Sequence, residues 1–333
     1  MFPAFNNWEA RIVVLFPLLL FSLQKVYLFS DTDYFIAYGN LEKLDLSTMN
    51  VKKIGFFDIT SKYLAVAPNG LVWSRLTLKS IGGMNVDSGE VAAKINLPYR
   101  PYRITILGNG LAIVSHQILV KDGIPLSIVD TKKKIYVKTI FGLNGLVTDM
   151  VADDSVFIST FKLKPPRGLS VYRMDANNGK LVKILQSNIT DSHYGISLKG
   201  NLLFVSLLPG IGSKRKSEII VLNRKTGEEV KKIEGEGLNG VSRIIGKPVF
   251  TNDFGCFECV DRNGRNGIAI LSLKKLIVTN VLPLKGNIYR ILSVSKNLIA
   301  YMNIQPYLEK GKLAICFFDI EAGKEVKRVN ILP

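Results

Sequence analysis

The residues Ala314-Ile315-Cys316-Phe317-Phe318-Asp319-Ile320-Glu321-Ala322-Gly323-Lys324-Glu325-Val326-Lys327 join an apolar run, a polar turn and a run of alternating charge. Asp319 can bond its own backbone and Gly323 supplies positive φ, so the stretch predicts a β-hairpin. The alternation after it is that of a half-exposed outer strand. Working outward, Tyr289–Val294 and Leu298–Met302 read as two earlier strands. Together they make a four-stranded unit. The turn mark recurs at Leu44-Asp45, Val86-Asp87, Val129-Asp130, Met174-Asp175, Leu222-Asn223, Leu271-Ser272 and Phe318-Asp319, with spacings of 42, 43, 45, 48, 49 and 47 residues. A period in the forties with strands inside it predicts an all-β, seven-bladed β-propeller of four-stranded antiparallel blades. One domain follows, because a blade cannot bury its faces singly.

The hairpins Asp175–Lys180 before Leu181-Val182-Lys183-Ile184, and Asn223–Glu228 before Val230-Lys231-Lys232-Ile233, share a pattern with Asp319–Lys324. They resemble the repeats of YVTN-type and quinoprotein-like propellers over residues from about 25 to 333. The resemblance implies architecture and leaves function open. The Trp-Asp dipeptide of WD-repeat proteins is absent. So is a repeated tryptophan motif, since the chain holds only Trp8 and Trp73. No P-loop, G-x-S-x-G or H-E-x-x-H occurs, and neither cofactor nor metal is expected.

Residues 1–24 stand outside the repeat. Ile12–Leu23 is apolar but for Pro17 and Ser22. As a helix it would reach about 18 Å, short of a bilayer core of about 30 Å. It is expected to be an export signal or uncleaved anchor, giving an extracytoplasmic or membrane-associated protein. A strand or helix packed on the propeller is the alternative. The propeller itself is expected to span 25–333 and to act as a monomer.

The net charge is +17. Residues 1–166 carry 18 basic against 13 acidic side chains, and residues 167–333 carry 26 against 14. Such a field favours anionic partners. Two basic clusters, Lys132-Lys133-Lys134 on a hairpin turn and Lys214-Arg215-Lys216 in a long loop, could meet phosphates or acidic lipid. Tyr99-Arg100-Pro101-Tyr102-Arg103 interleaves aromatic and basic residues as single-strand nucleic-acid surfaces do, but one such stretch does not make a nucleic-acid protein. Cys256 and Cys259 form a C-x-x-C in a stretch read as a loop, Asn252–Cys259, and are expected to be a local disulfide or two plain thiols. Cys316 reads as core.

Used as a ruler, the repeat aligns the residues before each inner apolar run: Asp58, Arg103, Asp149, Tyr194, Arg243 and Arg290, with Tyr27 for the first blade. Inner strands line a propeller's channel, so these residues should ring one mouth. Converging guanidiniums suit a carboxylate, phosphate or sulfate. Asp58 and Asp149 would orient them, hold a cation or act as acid and base. Pairing between neighbouring blades is the competing reading. His193, beside Tyr194, is the general-base candidate. The expected function is a non-catalytic binding or scaffold propeller contacting a protein or anionic partner. The alternative is a small-ligand receptor or a lactonase- or lyase-like enzyme using the Arg/Asp ring.

Overall fold

The computed structural model describes residues 26–330, apart from 29–33, 38–39, 46, 58–62, 163–166, 191, 211–213, 285–286, 296 and 306–311. Asp58 and the apolar run 12–23 therefore lie outside the described residues. Among the described residues, no helix is long and apolar enough to cross a membrane.

Seven antiparallel sheets follow one another along the chain, each built from consecutive strands. Blade 1 runs from Val26–Leu28 to Asn50–Phe56, and blade 2 from Leu64–Val66 to Val91–Asn96. Blade 3 runs from Pro101–Ile106 to Ile135–Leu143, and blade 4 from Leu146–Ala152 to Leu181–Ser187. Blade 5 runs from Ser192–Lys199 to Glu229–Ile233, blade 6 from Val241–Ile244 to Ile277–Pro283, and blade 7 from Asn287–Val294 to Lys324–Asn330. Six sheets have four strands. Blade 6 has five, because its innermost strand is split into Val241–Ile244 and Val249–Phe250, both paired with Phe254–Asp261.

The core is not central but lies between the blades. Strand alternation sends successive side chains to opposite sheet faces, so each blade serves two interfaces. Ile113 joins the cluster shared with blade 4, while its neighbours Ala112 and Val114 join the one shared with blade 2. Seven such clusters occupy the seven blade-to-blade interfaces. The ring closes without strand exchange. Leu44 of blade 1 packs on Leu292, Met302 and Phe317 of blade 7, and the Lys327 ammonium donates to Asn50 Oδ1 at 3.0 Å.

All seven hairpins between third and fourth strands share one local device. An Asp, Asn or Ser at the first position accepts backbone N–H groups two or three residues on: Asp45, Asn85, Asp130, Asp175, Asn223, Ser272 and Asp319. Blade 2 corrects the sequence reading, since Asn85 and not Asp87 takes this role. Asp87 instead donates its N–H to Asn85 Oδ1 at 2.8 Å. Four residues later the backbone turns left-handed. Glycine stands there in four blades, and Met49, Lys134 and Leu276 in the others, at φ 52°, 59° and 51°. A side chain in that region is strained by about 1 kcal/mol. Leu276 packs on the blade 5–6 core whereas Lys134 is exposed, so Lys134→Gly is the substitution expected to stabilise the fold, by about 0.5–1 kcal/mol, the unfolded chain's gain in freedom offsetting part of the relief. Urea denaturation of the single variant measures it.

Candidate functional site

Two adjoining cavities of about 190 and 230 Å³ occupy the channel, and Tyr63, Arg103, Asp149, Lys247 and Arg290 line both. Their positions follow from the innermost strands. Asp149 lies on Leu146–Ala152 of blade 4, and Arg103 on Pro101–Ile106 of blade 3. Asp149 is the hub. One carboxylate oxygen meets the Arg103 guanidinium at 3.3 Å. The other meets the Lys247 ammonium at 2.9 Å and accepts the backbone N–H of Ile196 in blade 5 at 3.0 Å. One side chain thus ties together blades 3, 4, 5 and 6. Burial alone would raise its pKa, but Lys247 and Arg103, with the Ile196 N–H, carry the carboxyl below the ordinary range.

Arg103 packs against two aromatic rings. Its guanidinium carbon lies 4.0 Å from the Tyr63 ring centre and 5.5 Å from that of Tyr102, and the two rings meet edge-on at 5.3 Å. Burial works against its charge, yet Tyr63 and Asp149 more than compensate and it stays cationic. Of the aromatic–basic stretch Tyr99–Arg103, Arg103 lines the channel cavities and Tyr99 packs on His116. Burial also raises the Tyr63 phenol, which stays protonated.

Glu258 is a second carboxyl, which the sequence reading missed. It sits on the second strand of blade 6, yet it reaches the channel because the innermost strand breaks in front of it. Ile245 and Gly246 donate their N–H groups to the Glu258 carbonyl, and Pro248, which has no N–H, follows. The Glu258 side chain passes through this gap to accept the backbone N–H of Ile291 in blade 7. Gly246 leaves the room, since a Cβ there would stand 1.5 Å from the Glu258 carboxylate oxygen. Burial raises the Glu258 pKa, while the Ile291 N–H, Arg290 and Lys247 pull less strongly the other way.

The same break displaces the expected ring member. Arg243 lies half-buried before the gap on Val241–Ile244 and lines neither cavity. Lys247, four residues on, takes its place. The sequence Gly246-Lys247-Pro248 inside a strand pattern was the available signal. Tyr194 lies beside the second cavity, but it is buried in the core cluster of blades 4 and 5, and its carbonyl accepts the Ser159 hydroxyl at 3.2 Å. His193 lines that cavity, and desolvation followed by Arg103 lowers its pKa, so it is neutral at pH 7. Arg290 lines both cavities and makes no ion pair among the described residues.

Cys256 and Cys259 are free, buried thiols on Phe254–Asp261, a strand rather than a loop. Three residues apart on a strand, they point to opposite faces: Cys256 into the blade 6–7 core, Cys259 into the blade 5–6 core. Of the two expected readings the structure has the plain thiols, and burial raises both, Cys259 to about 12. Lys132, Lys133 and Lys134 are exposed on the hairpin face of blade 3, and Lys214, Arg215 and Lys216 are exposed near the opposite face of blade 5.

A second imidazole belongs to the scaffold. His116, 2% exposed, receives the Ser127 hydroxyl on Nε2 at 2.7 Å and faces the Arg100 carbonyl with Nδ1 at 3.3 Å. Ser127 is fully buried as well, so the pair serves the fold. Burial lowers the His116 pKa to about 4. The folded state therefore resists a proton that the unfolded chain accepts near pH 6.5, and stability present above that pH is lost as pH falls towards 4. The full loss is about 3 kcal/mol. Urea denaturation at pH 7 and 4.5 is expected to show a steeper decline in the wild type than in His116→Gln.

No protein-family model and no curated protein sequence matches the chain. Solved structures match its fold. Hydrazine synthase of Kuenenia stuttgartiensis is 12% identical with a TM-score of 0.57, covering 92% of this chain and 94% of that one. The computationally designed Ika8 protein is 13% identical with a TM-score of 0.58, covering 92% and 87%. The dihydro-heme d1 dehydrogenase NirN, solved in complex with DHE, is 13% identical with a TM-score of 0.55, covering 92% and 73%. At such identities the likeness extends to the fold: this chain is a seven-bladed β-propeller.

Proposed function

We propose that the propeller is a non-catalytic binding protein whose channel receives a small anion bearing a carboxylate, phosphate or sulfate group. The observation that supports this reading is a charge imbalance. Arg103, Lys247 and Arg290 line the same two cavities, Asp149 pairs with the first two, Glu258 lines one cavity with its pKa raised by burial, and Arg290 makes no ion pair among the described residues. In a confined site such a fork of donors is worth more than in water. Calorimetric titration with inorganic phosphate, sulfate and citrate tests it. At least one should bind, and Arg290→Ala should weaken it about tenfold or more, equivalent to about 1.4 kcal/mol, with the urea midpoint unchanged. Unaltered affinity in Arg290→Ala, or no binding of any of the three, would overturn the reading.

A second reading, a lactonase- or lyase-like enzyme, draws on neutral His193 at the cavity wall. It requires turnover of a lactone or uronate panel that His193→Gln abolishes. The turn motif supports a YVTN-type description of the blades. The apolar run 12–23 supports export or tethering, and recovery of the full-length chain from the cytosolic fraction would count against it.

A further inference from the structure

Blade 3 differs from the other six in what its edge shows to solvent. Its fourth strand, Ile135–Leu143, is nine residues long and pairs on one side only, with Ile124–Asp130. Ile135, Tyr136, Val137 and Phe141 on it are 39–49% exposed. Among the described residues, the fourth strands of blades 1, 2, 4, 5 and 7 expose one large apolar side chain each, and that of blade 6 none. The stripe continues into a groove of about 890 Å³ beside the strand's far end, walled by Leu119, Val120 and Leu146, with Lys121 and Lys162 at its rim. Leu119 and Leu146 are 52% and 40% exposed. Gly142 at φ +112° lets the strand end turn in, so that Leu143 is buried below the groove.

Lysines frame this surface. Lys132, Lys133 and Lys134 precede the strand and Lys138 lies in its middle. Of the two neighbouring acids, Asp130 is engaged by the N–H groups of Lys132 and Lys133 at 3.0 and 2.9 Å, and Asp122 is exposed at the groove beside Lys121. An outer strand offers unpaired N–H and C=O groups on its open side. Main-chain pairing gives a strand-adding peptide affinity, and pockets give it specificity. Two copies meeting edge to edge would juxtapose their lysines, which is unfavourable. A concave groove beside a polar backbone edge suits an extended chain better than a flat bilayer.

We propose that the open edge of blade 3 is a docking site for an extended acidic peptide segment of a partner protein. The segment adds as a fifth strand along Ile135–Leu143, sets carboxylates against Lys132–Lys134 and Lys138, and lays an apolar residue in the groove at Leu119 and Leu146.

The test uses the full chain and a fluorescein-labelled peptide of about ten residues, alternating Glu and Val and ending in Leu, followed by anisotropy. Saturable binding is expected, weakened about tenfold or more by Val137→Lys and by Leu146→Lys and abolished by N-methylation of alternate peptide amides. Both substitutions are at exposed positions, and unchanged urea midpoints exclude unfolding. Lack of saturable binding, or binding indifferent to N-methylation, overturns the proposal. So does sedimentation with phosphatidylserine-containing vesicles, or a concentration-dependent dimer, that Val137→Lys abolishes while the peptide does not bind.

Discussion

Asp149→Ala is expected to destabilise the propeller by about 3–5 kcal/mol, because removing one member of a buried charge cluster leaves the others uncompensated. The variant strands the Arg103 guanidinium, the Lys247 ammonium and the Ile196 N–H at once. Four blades lose their common tie, so the denaturant midpoint should fall with no change in slope. Asp149→Asn keeps an acceptor for Ile196 and should recover part of the loss. The pH dependence carries the same signature. With its folded pKa below the ordinary carboxylate value of about 4, Asp149 contributes stability above that value. That contribution disappears as pH falls through its lowered folded pKa. Denaturation between pH 7 and 2.5 should show the acid loss in the wild type and a flatter profile in Asp149→Asn. Equal acid slopes in both would refute the hub.

Gly246→Ala is expected to cost about 3 kcal/mol through overpacking and a displaced buried carboxyl. The new Cβ would overlap the Glu258 carboxylate, at 1.5 Å from one oxygen and 2.5 Å from its carbon. Glu258 must then leave the gap, and the Ile291 N–H loses its acceptor. The test is a double-mutant cycle with Glu258→Ala. Removing the carboxyl first should make Gly246→Ala nearly neutral, a coupling of about 3 kcal/mol. Additive effects would show that the gap is not built around Glu258. The raised pKa of Glu258 acts opposite to that of Asp149: stability is full below about pH 4.3 and declines as pH rises towards the folded pKa. Glu258→Gln should remove that decline while keeping an acceptor for Ile291.

The comparison of Asn85 with Lys247 shows where sequence reading holds and where it fails. The hairpins were legible because their bonds are local: a first-position oxygen reaches N–H groups two and three residues on, and a left-handed residue follows at the fourth. Misplacing one turn by two residues, at Asp87, left the seven-fold count intact. Arg103, Asp149 and Arg290 were found by the same ruler, since blades of near-equal length repeat their channel positions. Blade 6 defeated the ruler. Its innermost strand breaks at Ile245–Pro248, so the channel position moves from Arg243 to Lys247 and a second-strand residue, Glu258, comes through. The stretch Asn252–Cys259 reads as a loop in sequence, but Phe254–Asp261 is a strand, which puts the two thiols three apart on opposite faces.

Local chemistry in the chain thus specifies the seven blades, their turns and the blade interfaces, because period-2 patterning and turn acceptors act over a few residues. Folding adds the convergence of Tyr63, Arg103, Asp149, Lys247, Glu258 and Arg290 on one channel. Those six come from five blades and meet only when the ring closes, so no sequence spacing encodes which cations Asp149 pairs and which, like Arg290, make no ion pair among the described residues.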